Sequence, residues 1–303
     1  MIQALFDGVL VGSILSLGAI GLTLVMHILR FANFSHAELL SVGAYCALTF
    51  DAVLSGIAPP LANLIGPFSM SAALALSTLA AAILTGFTAV LIDRLVFRRL
   101  RDTAGPLTMV FASFGVALIM RNLIALVFGL RTERFTDAIS FATMVSSDPL
   151  LLIKPDQVAI LLIAVAAMAA LHLLLTRTTL GFALRAVAEN PTLAQVNGIA
   201  LPSMIRLTWI IGGGLAAIAG VLYGIDNQLS PVMGRDLVLS LFAAAIVGGL
   251  GSVTGAMLGG FIVGLASSFA ILLLPAGYKP AIPFLVILAT LYIRPNGLFG
   301  EAR

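Results

Sequence analysis

Apolar runs about twenty residues long, separated by short polar connections, dominate this chain and limit it to one kind of fold. A run of that length spans the hydrocarbon of a bilayer as a helix, and lipid offers exposed backbone amides no partner. Taking about 20 apolar residues per crossing, spans are predicted near 8–27, 37–56, 70–92, 106–129, 157–175 and 207–225. The stretch from Leu237 to Leu274 is nearly two spans long but is interrupted by GGLGSVTG at 248–255, which predicts a broken or re-entrant element followed by a full helix. A last span covers about 281–293. The fold class is therefore all-α: one polytopic membrane domain over residues 1–303 with roughly eight or nine membrane elements. The start, MIQALFDGVLVGS, lacks the cationic opening of a signal peptide and is expected to stay as the first span.

Hydrophobic residues make up 60% of the chain and charged ones 10%, and the mean hydropathy is +1.13. The formal charge of +3 comes from arginines dispersed among apolar runs, not from a basic face with aromatics, so nucleic acid is not expected as a partner. If spans alternate, Arg30, Arg94, Arg98, Arg99, Arg101, Arg177, Arg185, Arg206, Arg294 and Arg303 all fall on one side. That side is expected to be the cytoplasm, with the N-terminus outside and the C-terminus inside. The longest outer connection, about 130–156, is expected to carry a short interfacial helix. Cys46 is the only cysteine, which excludes a disulfide framework.

One internal segment, Thr176 to Arg206, is polar with regular helical character. Leu180, Leu184 and Val187 recur on one helical face, with Arg185 and Glu189 on the other. Asn190-Pro191 interrupts that helix, and Asn as N-cap with Pro at the first helical position starts a second short one over Pro191–Asn197. Gly198 ends it. The two form a knob too short and polar to span lipid and suited to meeting a soluble partner.

No GxxxxGK[ST] loop occurs, so the chain does not hydrolyse nucleotide itself. His27, His36 and His172 stand far apart with no metal-binding spacing, so no metal or cofactor is expected. Glycines four apart, Gly8 with Gly12 and Gly260 with Gly264, read as helix-packing ridges. Gly248, Gly249 and Gly251, which break a helix inside an apolar run, are candidates for a pathway or its gate. Arg121 lies inside the fourth predicted span and must pair, snorkel or face a hydrated path. In FANFSHAELLSVGAY, Asn33, Ala37, Ser41 and Tyr45 are expected on one face, where they either cap a helix or line the inner end of a pathway. His36 is expected at the interface, and Glu38, like Asp7 and Asp51, near a span end, which disfavours an ion-coupled transporter.

FANFSHAELLSVGAY, GFALRAVAENPTLAQVNGI, IVGGLGSVTGAMLGGFIVG and the closing RPNGLFG, in that order, resemble the permease subunits of branched-chain amino acid ABC importers. The short length is similar to the smaller of the two usual permeases. The resemblance implies that the knob is the coupling region that docks on an ATP-binding subunit, with Arg185, Ala186, Glu189, Asn190 and Gly198 carrying that role. It implies an assembly with a second permease subunit, as heterodimer or homodimer, two ATP-binding subunits and a periplasmic solute-binding protein, within the lipid of the inner membrane. Related permeases serve urea, short-chain amides or other amino acids, which leaves the solute open. A membrane enzyme is disfavoured for want of paired carboxylates or an activated nucleophile.

Overall fold

The computed structural model describes residues 1–101, 103, 105–136, 141–147 and 150–300; Arg303 lies outside them. The long helices are α1 (Ile2–Leu29), α2 (His36–Ile57), α3 (Ala72–Ile92), α5 (Pro106–Phe128), α6 (Pro155–Arg177), α9 (Leu201–Asp226) and α11 (Val253–Ala270). A π turn over Asp93–Phe97 joins α3 to the single turn α4 (Arg98–Arg101). The short surface helices are α7 (Thr179–Glu189) and α8 (Pro191–Val196). Two more apolar helices, α10 (Met233–Gly248) and α12 (Ile282–Ile293), are shorter than a full crossing. Among the described residues seven helices are long and apolar enough to cross a membrane.

The centre is α1, which packs on α11, α9, α10 and α6. Its contact with α11 is close because both helices present glycine: a Cβ on Gly264 would collide with the backbone of Gly12 and Gly8. Small residues let helices approach this way in lipid, where hydrophobic association supplies little drive. A second layer sets α2 and α3 on α9, with α5 against α2 and α12 over α10 and α11. Outward faces of α3, α5 and α6 carry exposed Leu79, Phe87, Phe111, Ile119, Leu162 and Leu173, as a lipid-facing surface requires.

One expectation is overturned at the connection between α5 and α6. It carries an antiparallel hairpin, β1 (Thr143–Ser147) with β2 (Leu150–Ile153), and no interfacial helix among its described residues. TMVSS and LLLI are each too short for a helical turn to repeat an apolar face, and Pro155 opens α6 directly behind them. The hairpin is moored to α1 by the Leu152 amide, which donates to Gln3 Oε1 at 3.0 Å.

Candidate functional site

Two places concentrate polar chemistry. The first is the elbow of α7 and α8. Thr178 caps α7, its hydroxyl accepting from the Gly181 amide at 3.1 Å, and Asn190 caps α8, its side chain accepting from the Leu193 amide at 2.9 Å. Gly198 sits at φ 83°, in the left-handed region that stops a helix at little cost for glycine. The buried face of α7 is Gly181, Leu184, Val187 and Ala188. Leu180, expected on that face, is exposed, because Gly181 lies flush on the backbone of Leu174 and Leu175 and turns its predecessor outward. Arg185, Glu189 and Asn190 are exposed and Ala186 half-buried. The elbow is tied inward where Arg30, just past α1, donates to the Glu189 carbonyl at 3.4 Å. Three large apolar side chains point away from the protein here: Phe182, Leu193 and Val196, the last 80% exposed.

The second place is a junction buried at membrane depth. The segment from Arg30 to Ser35 runs back up from the end of α1, so that α2 starts well inside the bundle. His36 lies against Gly21 and Gly212, about 12 Å back from the end of α1. The Phe34 amide donates to Ser113 Oγ at 3.0 Å, roughly two turns into α5. The Phe34 ring is held between Phe114 and Phe242, with centroids 4.1 and 4.4 Å away. Across from it α10 also begins at depth, its Gly234 amide donating to Ser41 Oγ at 3.0 Å. Glu38, 1% exposed, packs against Gly234 and takes the guanidinium of Arg121 on one carboxylate oxygen, the Nε contact being 3.0 Å and the Nη2 contact shorter.

Several sequence readings change here. Asn33 precedes α2 and shares no helical face with Ala37, Ser41 and Tyr45; its side-chain oxygen instead accepts from the Ser35 amide and hydroxyl. His36 is fully buried, not interfacial, and Glu38 lies at depth although it is the third residue of its helix. Both shifts have one cause: α2 begins inside the membrane, so its first turn is not a surface turn. Of the three options open for Arg121, the ion pair is the one formed. Tyr45 is buried beside Phe128.

Gly248, Gly249 and Gly251 stand elsewhere, in the tight turn from α10 to α11. Gly249 and Gly251 have φ 105° and 97°, and the turn lies beside His27 of α1 and the closing Phe299–Gly300 segment. Phe299 and Leu298 donate their amides to the Gly248 and Val247 carbonyls. The apolar run is broken where the sequence breaks it, and the break is a turn at the elbow end of the helices. The interruptions at depth precede α2 and α10.

At the opposite end a cavity of about 600 Å³ opens between α1, α10 and α11. Leu10, Ile14 and Leu237 form apolar walls, and Asp7, Asp226 and Lys279 bring charge to it.

Residues 4–291 match the branched-chain amino acid transport system permease component. The chain belongs to that family. It is 30% identical over 303 residues to the high-affinity branched-chain amino acid transport system permease protein LivH of Salmonella typhimurium, covering 99% of this chain and 96% of the relative. It is 31% identical, with the same coverage, to the high-affinity branched-chain amino acid transport system permease protein BraD of Pseudomonas aeruginosa. A probable branched-chain amino acid transport permease protein of Methanocaldococcus jannaschii is 30% identical over 98% of this chain and 92% of its own length. This family member is a multi-pass membrane permease with the all-α fold its apolar runs require.

What sequence reasoning missed is the set of partners: Glu38 for Arg121, Ser113 for Phe34, Gly234 for Ser41. The intramembrane charge was visible, and two helices parallel in register across α2 and α5 are what bring its counter-charge to it.

Proposed function

We propose that this chain is the permease subunit of an ATP-binding-cassette importer that carries branched-chain amino acids across the cytoplasmic membrane, worked by separate ATP-binding subunits. The relationship to branched-chain permeases along nearly the whole chain supports the solute class. The observation that carries the mechanism is the elbow: a capped, rigid pair of helices with Phe182, Leu193 and Val196 exposed at its surface. Side chains of that kind on a short polar element suit burial by a partner. The arginine-rich ends gather on the elbow side, which supports an elbow in the cytoplasm with the N-terminus outside and the C-terminus inside. A second permease, as heterodimer or homodimer, two ATP-binding subunits and a periplasmic solute-binding protein complete the assembly.

Closure of the ATP-binding subunits would push on Arg185, Ala186, Glu189, Asn190 and Gly198. The push has a path inward. Gly181 bolts α7 to the end of α6, and Arg30 links the Glu189 carbonyl to the end of α1, the helix about which the others pack. The Gly248–Gly251 turn, at the same end, is then a hinge beside the elbow, and the outer cavity with its apolar walls and mixed charge receives a zwitterion with an aliphatic side chain.

The test is co-expression with candidate ATP-binding subunits. Glu189→Lys and Val196→Asp are expected to abolish co-purification while membrane insertion and yield stay unchanged. Undiminished co-purification of both variants would remove the docking role.

A further inference from the structure

A cavity of about 590 Å³ lies beside the elbow, with Arg94, Arg98 and Arg101 on one wall and Arg206 and Gln195 on the other. Asp93 is the one carboxylate lining it among the described residues, and Arg101 already pairs with it. The π turn makes that pairing possible by rotating the chain so that Arg101 returns over a residue eight positions earlier. The cavity is therefore strongly cationic after its internal pairing.

Its apolar surroundings are as telling as its charge. Ile83, Phe87 and Val90 follow each other at helical spacing along one face of α3, and Arg94 follows in the π turn. Ile83 and Phe87 are exposed, and the Gly86 backbone rests on Ile210 of α9, which is itself exposed. A stripe of apolar side chains thus leads from the arginines toward the middle of the membrane. An acidic protein segment would satisfy the guanidiniums but has no use for a stripe inside the bilayer. A molecule with an anionic phosphate at one end and acyl chains at the other matches both.

We propose that the arginine-lined cavity between the end of α3 and the start of α9 seats the headgroup of an anionic phospholipid, with its acyl chains along Ile83, Phe87 and Ile210. Gln195 belongs to α8, so the headgroup lies directly under the elbow and fills the space into which that helix would otherwise sink. The inference rests on this chain's geometry and holds whatever solute the chain carries.

Native mass spectrometry of the full chain in mild detergent, titrated with phosphatidylglycerol or phosphatidylcholine, reads it out. The wild type is expected to bind phosphatidylglycerol in preference to phosphatidylcholine. Arg94→Gln/Arg98→Gln is expected to weaken phosphatidylglycerol binding about twenty-five-fold, each lost guanidinium near an anionic headgroup contributing about a factor of five. Arg177→Gln, a cation removed at the same end but outside the cavity, is expected to leave binding unchanged. Equal weakening by Arg177→Gln would mean diffuse attraction and overturn the site. Displacement of the lipid by equimolar inorganic phosphate would reduce it to an anion pocket and overturn the lipid assignment. If the Trp209 fluorescence shows the double variant misfolded, Arg206→Gln from the opposite wall carries the test, with about a fivefold loss expected and no loss overturning the site.

Discussion

The elbow and the buried junction are both interrupted helices, and they handle the interruption in opposite ways. At the elbow the freed backbone groups are met by neighbours in sequence: Asn190 caps the amide three residues on, and Gly198 closes the last turn within its own segment. At the junction the local cap of Asn33 on the Ser35 amide is joined by residues far away, Ser113 for the Phe34 amide and Ser41 for the Gly234 amide, |i−j| being 79 and 193. A break at the surface has water as a fallback, so local capping is enough. A break at membrane depth has none and must be matched by another helix in register.

That contrast predicts a large cost for unpairing the junction. Arg121→Met leaves the Glu38 carboxylate, 1% exposed, without its counter-charge. Removing one partner of a buried pair typically costs about 3–5 kcal/mol. Thermal unfolding in detergent is expected to show a large fall in midpoint for Arg121→Met, and Glu38→Gln/Arg121→Met is expected to recover most of it. A double variant as unstable as the single would mean that Arg121 acts through packing of its aliphatic stem and not through charge.

The same contrast explains what was legible in the chain. Spans were readable because each is defined by its own composition, and the predicted 106–129 and 157–175 differ from α5 and α6 by no more than two residues at any end. The elbow was readable because Asn-Pro and Gly state their geometry in two or three residues. The depth at which α2 starts was not. FANFSH carries caps and aromatics that serve equally for a surface turn, and contacts with distant helices, such as the Phe34 ring between Phe114 and Phe242 and the Phe34 amide on Ser113, place it inside. The hairpin at 143–153 was missed for a related reason, its two short strands being held by one another and by Gln3.

A smaller effect is expected from single hydrogen bonds at the junction. Ser113→Ala removes the acceptor of the Phe34 amide and leaves that donor without a partner where water does not reach, a cost of about 1–3 kcal/mol. Ser41→Ala does the same to the Gly234 amide. Both are expected to lower the unfolding midpoint of the whole domain, since the elements they join are packed into one core. Midpoints unchanged in both would mean that the segments before α2 and α10 find other partners, and the distinction from the elbow would narrow.

The smallest effect belongs to the elbow and should stay there. Asn190→Ala deletes the cap of α8, worth about 1 kcal/mol, while Asn190→Asp keeps an acceptor for the Leu193 amide. Because α8 is six residues long with only Ala194 buried, little of the core depends on it. Hydrogen exchange at the Leu193 amide is therefore expected to quicken about fivefold in Asn190→Ala, the equivalent of that energy, with near-normal exchange in Asn190→Asp. Amides of α7 buried against α6, such as those of Leu184 and Val187, are expected to keep their rates, as is the unfolding midpoint of the domain. Spread of the faster exchange into α7 would show that the two helices melt as one unit, and a cap read as local would then be holding the whole elbow together.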